Sequence, residues 1–312
     1  MINFYNNAEN YQKNTISIEM DEVPKFLAFI TFDGEKHIFE ERERNVPYYN
    51  VISALESGYI TELDKKIVCL VAVFSSSCCT KKFILEMLTM LGKDESYATL
   101  TKSVEKLHKL QLINFSRFTT KDMSLTNFRV ISLTQYGQNL AKTLGVFNRF
   151  NPIALATSEP HKVKSYLATA QFICNYLKHI KLQSFEIRPV VVVNPEESAI
   201  IRPSASITVD EDTILYVESP RRYENWIEDI IEKIDRYKLV FEDKEVTIIL
   251  NCEDEQMSLE LSKYLSKINL KNLEILFTDD RKTYADLLKS SIYNFNKEEK
   301  IVFEFNSTLY FR

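Results

Sequence analysis

The firmest periodicity in the chain runs through SYATLTKSVEKLHKL, where Leu100, Val104, Leu107 and Leu110 recur at i, i+4, i+7 and i+10. That spacing puts four apolar side chains on one helical face, which must lie against a core. The other faces carry Tyr97, Thr99, Thr101, Lys102, Ser103, Lys106 and Lys109. Upstream, TKKFILEMLTML sets Phe83, Met87 and Met90 or Leu91 on one side of a second helix that Gly92 stops. Before it, Pro47 opens a short helix ending near Gly58, Thr61 caps ELDKKIVCLVAVF, and Ser75 to Cys79 reads as a polar turn with Thr80 capping the next helix. Downstream, LINFSRF and NFRVISL alternate as strands, and Thr134 caps a helix that ends before Gly145. At the start of the chain, PKFLAFITF, Asp33-Gly34 and EKHIFEERER read as a small hairpin, or as a strand followed by a charged helical piece.

Beyond residue 160 the period changes. A long helix over 161–180 places Tyr166, Ala170, Ile173 and Leu177 on one face. SFEIRPVVVVN, SAIIRPSASITV, TILYVES, EVTIILNC and NLEILFT then follow as β-rich runs, interrupted by helices at about 222–241, 254–268 and 281–292. In this α/β layout the first strands pair as a meander and the later ones join through crossovers. The expected organisation is an N-terminal extension over 1–46, a helical domain with a ribbon over 47–148, a hinge over 149–160 and an α/β domain over 161–312.

Charge sharpens the division. Residues 1–58 hold 5 basic and 10 acidic side chains (−5), 59–150 hold 13 and 7 (+6), and 151–312 hold 21 and 27 (−6). A basic module between acidic neighbours invites a polyanion as its partner. Five cysteines, two of them adjacent, suit neither a disulfide framework nor a metal knuckle and read as reduced thiols, and four scattered histidines leave little material for a metal site. No apolar run reaches eighteen residues and no secretory leader opens the chain, so the expectation is a cytoplasmic protein without a membrane partner. The five glycines cannot be assembled into GxxxxGK or GxGxxG, which excludes a nucleotide-driven motor.

The order helix, helix, turn, helix, two-stranded ribbon, helix over roughly 60–145 resembles the bacterial winged helix-turn-helix proteins. The residues carrying the likeness are Leu107-His108-Lys109-Leu110-Gln111-Leu112-Ile113 and Leu133-Thr134-Gln135-Tyr136-Gly137. The resemblance implies double-stranded DNA as partner. Tyr97, Thr99 and Thr101 would touch base edges, Lys102, Lys106 and Lys109 the flanking phosphates, and Arg117, Lys121 and Arg129 on the ribbon the next backbone or the minor groove. The helix itself carries no arginine, so the commonest guanine contact is missing.

The second domain resembles the restriction-endonuclease-like fold, in which two carboxylates hold Mg²⁺ and a lysine positions the nucleophile. Glu218 matches the family glutamate, while Ser204 and Pro220 stand at the aspartate and lysine positions. A rearranged site would have to draw on Glu186, Asp210, Asp212, Arg221, Arg222 or Lys233. The whole arrangement, with Arg202, Pro203, Ala205, Ile207, Tyr216, Glu218, Lys233, Arg236 and Tyr237, is similar to the replication-relaxation type proteins of Gram-positive plasmids and integrative elements. Three functions follow as expectations. The first is a DNA-binding regulator or accessory factor of mobile-element replication, transfer or transcription, without a cofactor, whose C-terminal domain forms a homodimer or recruits a partner. The second is a Mg²⁺-dependent nuclease built on Glu186, Asp210, Glu218 and Lys233. The third is a protein-binding adaptor.

Overall fold

The computed structural model describes residues 30–32, 34–40, 48–74, 78–119, 129–146, 152–179, 183–194, 199–210, 213–242, 244–284, 292–296 and 299–302. They are a mixture of helices and mixed sheets and divide into two compact units. One holds the described residues from Phe32 to Val163, the other Ile30, Thr31 and those from Lys164 onward.

The first unit contains β1 (His37–Phe39), α1 (Tyr48–Glu56), α2 (Glu62–Val73), β2 (Cys78–Cys79), α3 (Lys81–Met90), α4 (Tyr97–Lys109), β3 (Ile113–Phe118), β4 (Val130–Leu133), α5 (Gln135–Thr143) and α6 (Pro152–Ala156). Its sheet has the order β1-β3-β4-β2, antiparallel throughout. Hydroxyl caps set the helix starts: Thr61 accepts from Asp64 N, Thr80 from Phe83 N, Ser96 from Thr99 N and Thr134 from Gly137 N. At α2 the cap is reciprocal, because the Asp64 carboxylate accepts Thr61 N at 2.7 Å. Leu100, Val104 and Leu107 of α4 are fully buried, as their spacing predicts, and Gly92 takes the left-handed φ of +73° that ends α3.

The two sequence pieces flanking the ribbon form one joint. After α4 the chain turns through Gln111 at φ +57°, which aims the Gln111 and Leu112 carbonyls at the start of α5. Thr134 Oγ1 donates to Gln111 O at 2.5 Å, and Thr134 N donates to Leu112 O at 3.1 Å. Gly137 lies so close that a Cβ there would stand 2.0 Å from Leu112 O.

Two short strands lie where a hairpin or charged helical piece and a polar turn are expected. In EKHIFEERER, residues 37–39 form β1, whose partners are Phe118, Arg117 and Ser116 of β3. Exposure alternates there, with Ile38 out and His37 and Phe39 half-buried, so the segment follows a strand period and not a helical one. Cys78 and Cys79, expected in a turn, pair with Ser132 and Ile131 because Cys79 is buried against the ribbon's return strand. The expected strand at 24–29 and the charged residues 41–44 lie outside the described residues.

The second unit comprises most of α7 (Pro160–His179), β5 (Ser184–Ile187), β6 (Val191–Asn194), β7 (Ala199–Ile201), β8 (Ala205–Thr208), β9 (Ile214–Glu218), α8 (Trp226–Val240), β10 (Val246–Cys252), α9 (Glu255–Leu265), β11 (Leu273–Asp279), α10 (Asp280–Tyr284), β12 (Tyr293–Asn296) and β13 (Glu299–Val302). The seven-stranded sheet runs β13-β12-β11-β10-β9-β8-β5, and β6-β7 form a separate hairpin. β5, β8 and β9 make the antiparallel meander, while β9, β10 and β11 are parallel with α8 and α9 as crossovers. The β10 run VTIILNC is almost wholly buried, as a strand covered on both faces should be. α8 buries Ile230, Ile234, Tyr237 and Val240.

Three expectations change here. Each of the first two β-rich runs is two strands: Arg188, at φ +51°, separates β5 from β6, and Arg202 and Pro203 separate β7 from β8. On α7, Ala170 and Ile173 are buried but Tyr166 and Leu177 are only half-buried, because polar Lys164, Thr169, Gln171 and Asn175 are buried as well. The last expected helix is helical over 280–284 among the described residues, and Tyr293 begins a strand whose ring is buried against Phe277.

Two predictions follow from the first unit. Gly137→Ala gains helix propensity but drives a methyl group into the Leu112 carbonyl, so a net loss of about 1–3 kcal/mol is expected from denaturant midpoints at unchanged m. The His37 ring contacts Phe39 and Phe118, and burial lowers its pKa from 6.5 to about 4. The folded unit therefore keeps His37 neutral where the unfolded chain protonates. The associated stability is complete above pH 6.5 and is lost as pH falls toward 4. In His37→Gln the unfolding midpoint should fall less between pH 7 and pH 4.5 than in the wild type.

Candidate functional site

In the first unit the exposed side of α4 carries Tyr97, Ala98, Thr99 and Lys102 toward its N-terminus and Lys109 near its end, with Thr101 half-buried between them. The buried stripe occupies the opposite side, so this surface faces away from the core of the unit. Lys81, the first residue of α3, joins it: its ammonium lies 4.9 Å above the Tyr97 ring and donates to Thr101 Oγ1 at 3.4 Å. Sequence reasoning missed Lys81 because its neighbourhood with Thr101 spans a helix, a turn and a helix start. A lysine directly after the Thr80 cap was the available signal.

The other expected cations are placed differently. Lys106 is half-buried. It forms an ion pair with Asp64, donates to Tyr59 O at 3.1 Å and lies over the Tyr59 ring at 5.3 Å. The reason is the fully buried Asp64 carboxylate, which needs a counter-charge. Arg117 Nε and Arg129 Nε both donate to Glu40 Oε1, at 2.6 and 2.9 Å, and Arg129 Nη1 donates to Glu105 Oε1 at 2.6 Å. Arg129 also covers the Phe115 ring at 4.6 Å. Burial pushes the Glu40 carboxyl up, but the hydrogen bonds and charges of the two arginines outweigh it and hold the pKa below the ordinary value. Lys121 lies outside the described residues.

In the second unit, Glu218 ends β9 beside the start of β8. Its Oε2 accepts from Ser204 Oγ at 2.8 Å and Lys233 Nζ at 2.6 Å, and its Oε1 accepts from Tyr237 OH at 2.8 Å. Ser204, at the aspartate position of the nuclease resemblance, thus does meet Glu218, and Lys233 reaches it from α8. Burial and the adjacent carboxylate push the Tyr237 phenol well above its ordinary pKa. The other two carboxylates of the expected nuclease site do not join them. Glu186 is exposed on β5, opposite Ser206, and Asp210 accepts from Thr213 N in the turn at the other end of β8 and β9. One carboxylate whose oxygens already take an ammonium, a phenol and a hydroxyl does not fit Mg²⁺, which needs open oxygen ligands. Among the described residues no group of three or more His, Cys, Asp or Glu side chains could hold a metal ion.

The carboxyl ends of the parallel strands carry a second polar cluster that the sequence reading assembled only in part. Buried Arg221 donates to Asp280 Oδ1 at 2.9 Å and to Asn251 O at 3.1 Å. Arg222 grips Asp254 through two bonds of 2.7 and 2.9 Å and reaches Glu253 at 3.3 Å. Desolvation pushes Asp280 well above the usual carboxylate range against the pull of Arg221. Glu253 Oε1 in addition accepts from Thr31 Oγ1 at 2.6 Å, and Lys164 donates to Ile30 O at 2.5 Å, so this cluster also fastens the chain at residues 30–31. Cys252 beneath it is free, with burial raising the thiol to about 12, far from a reactive thiolate.

No family model matches this chain, and neither a curated protein nor a solved structure matches it. Among the described residues no helix is long and apolar enough to cross a membrane.

The Glu218 cluster makes its own prediction. Lys233→Met leaves a buried carboxylate without its cation and should cost about 2–3 kcal/mol, given that Lys233 is partly solvated. Tyr237→Phe removes one neutral donor and should cost about 1–2 kcal/mol, both read from urea denaturation.

Proposed function

We propose that the chain is a double-stranded DNA-binding protein of winged-helix type. In this reading α3, the turn and α4 form the reading head, β3 and β4 the wing, and the second unit is a scaffold for self-association or a partner. The observation that carries the reading is the exposed N-terminal half of α4, where Tyr97, Thr99 and Lys102 stand beside Lys81 with the ribbon directly downstream. The antiparallel pairing of the short β2 with β4 supports it, because that strand ties the first helix of the head to the wing. The basic balance of residues 59–150 supplies a field that favours phosphate. Tyr97 and Thr99 take the role of base-edge contacts, and Lys81, Lys102 and Lys109 that of phosphate contacts. Lys106 is assigned instead to the core. A single module of this size covers little DNA, so a dimer joined through the second unit is the working assembly. By likeness to the replication-relaxation type proteins, the setting is control of replication, transfer or transcription on a mobile element.

The test is fluorescence anisotropy of the full chain with a duplex from its own upstream region and a scrambled duplex, each with Mg²⁺ and with EDTA. Binding should weaken linearly in log–log with salt and be indifferent to Mg²⁺. Lys81→Ala/Lys102→Ala should lose about tenfold or more and flatten the salt slope by about 2, since each phosphate contact contributes about 0.9. Absence of binding to both duplexes at about 50 mM salt would reject this reading in favour of the protein-binding adaptor.

A further inference from the structure

We propose that Glu40 is an internal competitor for phosphate, holding the wing arginines Arg117 and Arg129 in a neutral cradle that DNA must claim by displacing it. The inference rests on the DNA-binding reading and adds a device that sets its affinity.

The geometry is that of an occupied anion site. Two guanidinium groups, one on β3 and one on the residue just before β4, converge on one oxygen, Glu40 Oε1, at 2.6 and 2.9 Å. Guanidinium forks bind carboxylate and phosphate oxygens with the same planar hydrogen-bond pattern, so a group that fits one fits the other. The charges balance: Arg117 and Arg129 face Glu40 and Glu105, two positive against two negative. While these pairs persist Arg117 and Arg129 add little to the basic field of α4. Glu40 belongs to the acidic first stretch of the chain and not to the basic module, and β1 delivers it there. Glu40 N donates to Phe115 O at 2.9 Å and Thr119 N donates to Lys36 O at 2.9 Å, which anchors the backbone on both sides of the three-residue strand. The carboxylate itself remains about one-fifth exposed, and the arginines about one-quarter, so an exchange of partners requires only side-chain rotation and not removal of the strand. Its pKa below the ordinary range keeps the competitor charged at neutral pH. Salt and a competing polyanion, but not mild acid, are therefore the conditions that open the cradle.

The experiment compares the full-length wild type, Glu40→Gln, Glu56→Gln and Glu40→Gln/Arg117→Ala/Arg129→Ala on one mixed-sequence duplex across a salt series. Glu56 is exposed on α1 and serves as the charge-matched control. Glu40→Gln should bind about tenfold tighter, with a salt slope steeper by about 1–2 as the released arginines reach phosphates. Glu56→Gln should stay within about twofold of wild type, and the triple variant should lose the gain. Glu40→Asp, which keeps the charge but shortens its reach, should fall between wild type and Glu40→Gln and serves as the readout if Glu40→Gln does not fold. A wild type that binds while Glu40→Gln binds no tighter, or a gain that survives in the triple variant or appears equally in Glu56→Gln, overturns the competitor and leaves DNA binding standing. Absence of binding by every variant overturns the DNA-binding reading, and the competitor with it.

Discussion

A carboxylate taken out of water needs a cation or several donors to accompany it. Asp64, Glu218, Glu253, Asp279 and Asp280 are each 3% exposed or less, and every one of them draws a cation to itself. Lys106 brings α4 to the first turn of α2, and Lys233 brings α8 onto the end of β9. Arg221 and Arg222, neighbours in the chain after β9, reach Asp280 after β11 and Glu253 after β10. Lys282 of α10 serves Asp279 one turn away. Apolar burial supplies most of the driving force for each unit. These pairs decide which helix end meets which strand end, since a misplaced cation would leave a bare charge inside.

The same constraint explains what the sequence shows and what it hides. Thr61, Thr80 and Thr134 are legible as caps because the donor and acceptor lie three residues apart, and the Leu100–Leu107 stripe is legible because a helix has a fixed period. The meander followed by crossovers is legible from the order of apolar runs and amphipathic helices. β1, β2 and β12 are not, being two to four residues long and defined by partners up to about eighty positions away. No local pattern encodes such a pairing. Charge suffers most from this blindness. Counting residues gives the middle segment +6, yet Lys106, Arg117 and Arg129 are each committed to a carboxylate, and Glu40 comes from outside that segment. Lys81, by contrast, becomes part of the α4 surface only through the fold.

For the nuclease resemblance, the structure separates what a motif lists together. Ser204, Glu218 and Lys233 do converge, at positions the likeness names or permits. Glu186 and Asp210 stay on another strand and at the opposite end of the hairpin. Ser204 donates to Glu218, where an aspartate would have faced it as a second negative charge. With a serine there Glu218 is a single carboxylate satisfied by its donors, and Lys233 serves as its counter-ion. The pairing of Lys233 with Glu218 ties α8 to the end of β9.

The joint between Leu112 and Gly137 has a consequence of another kind. It is made of main-chain carbonyls, one threonine hydroxyl and the absence of a side chain, and none of these atoms reaches the outer face of α4. The angle at which the ribbon leaves the helix is thus held by parts that take no share in the outer face. Substitutions at Tyr97, Ala98, Thr99 or Lys102 can rewrite that face while its bearing toward the ribbon stays put. Descendants of this sequence could vary that surface without having to relearn how to fold.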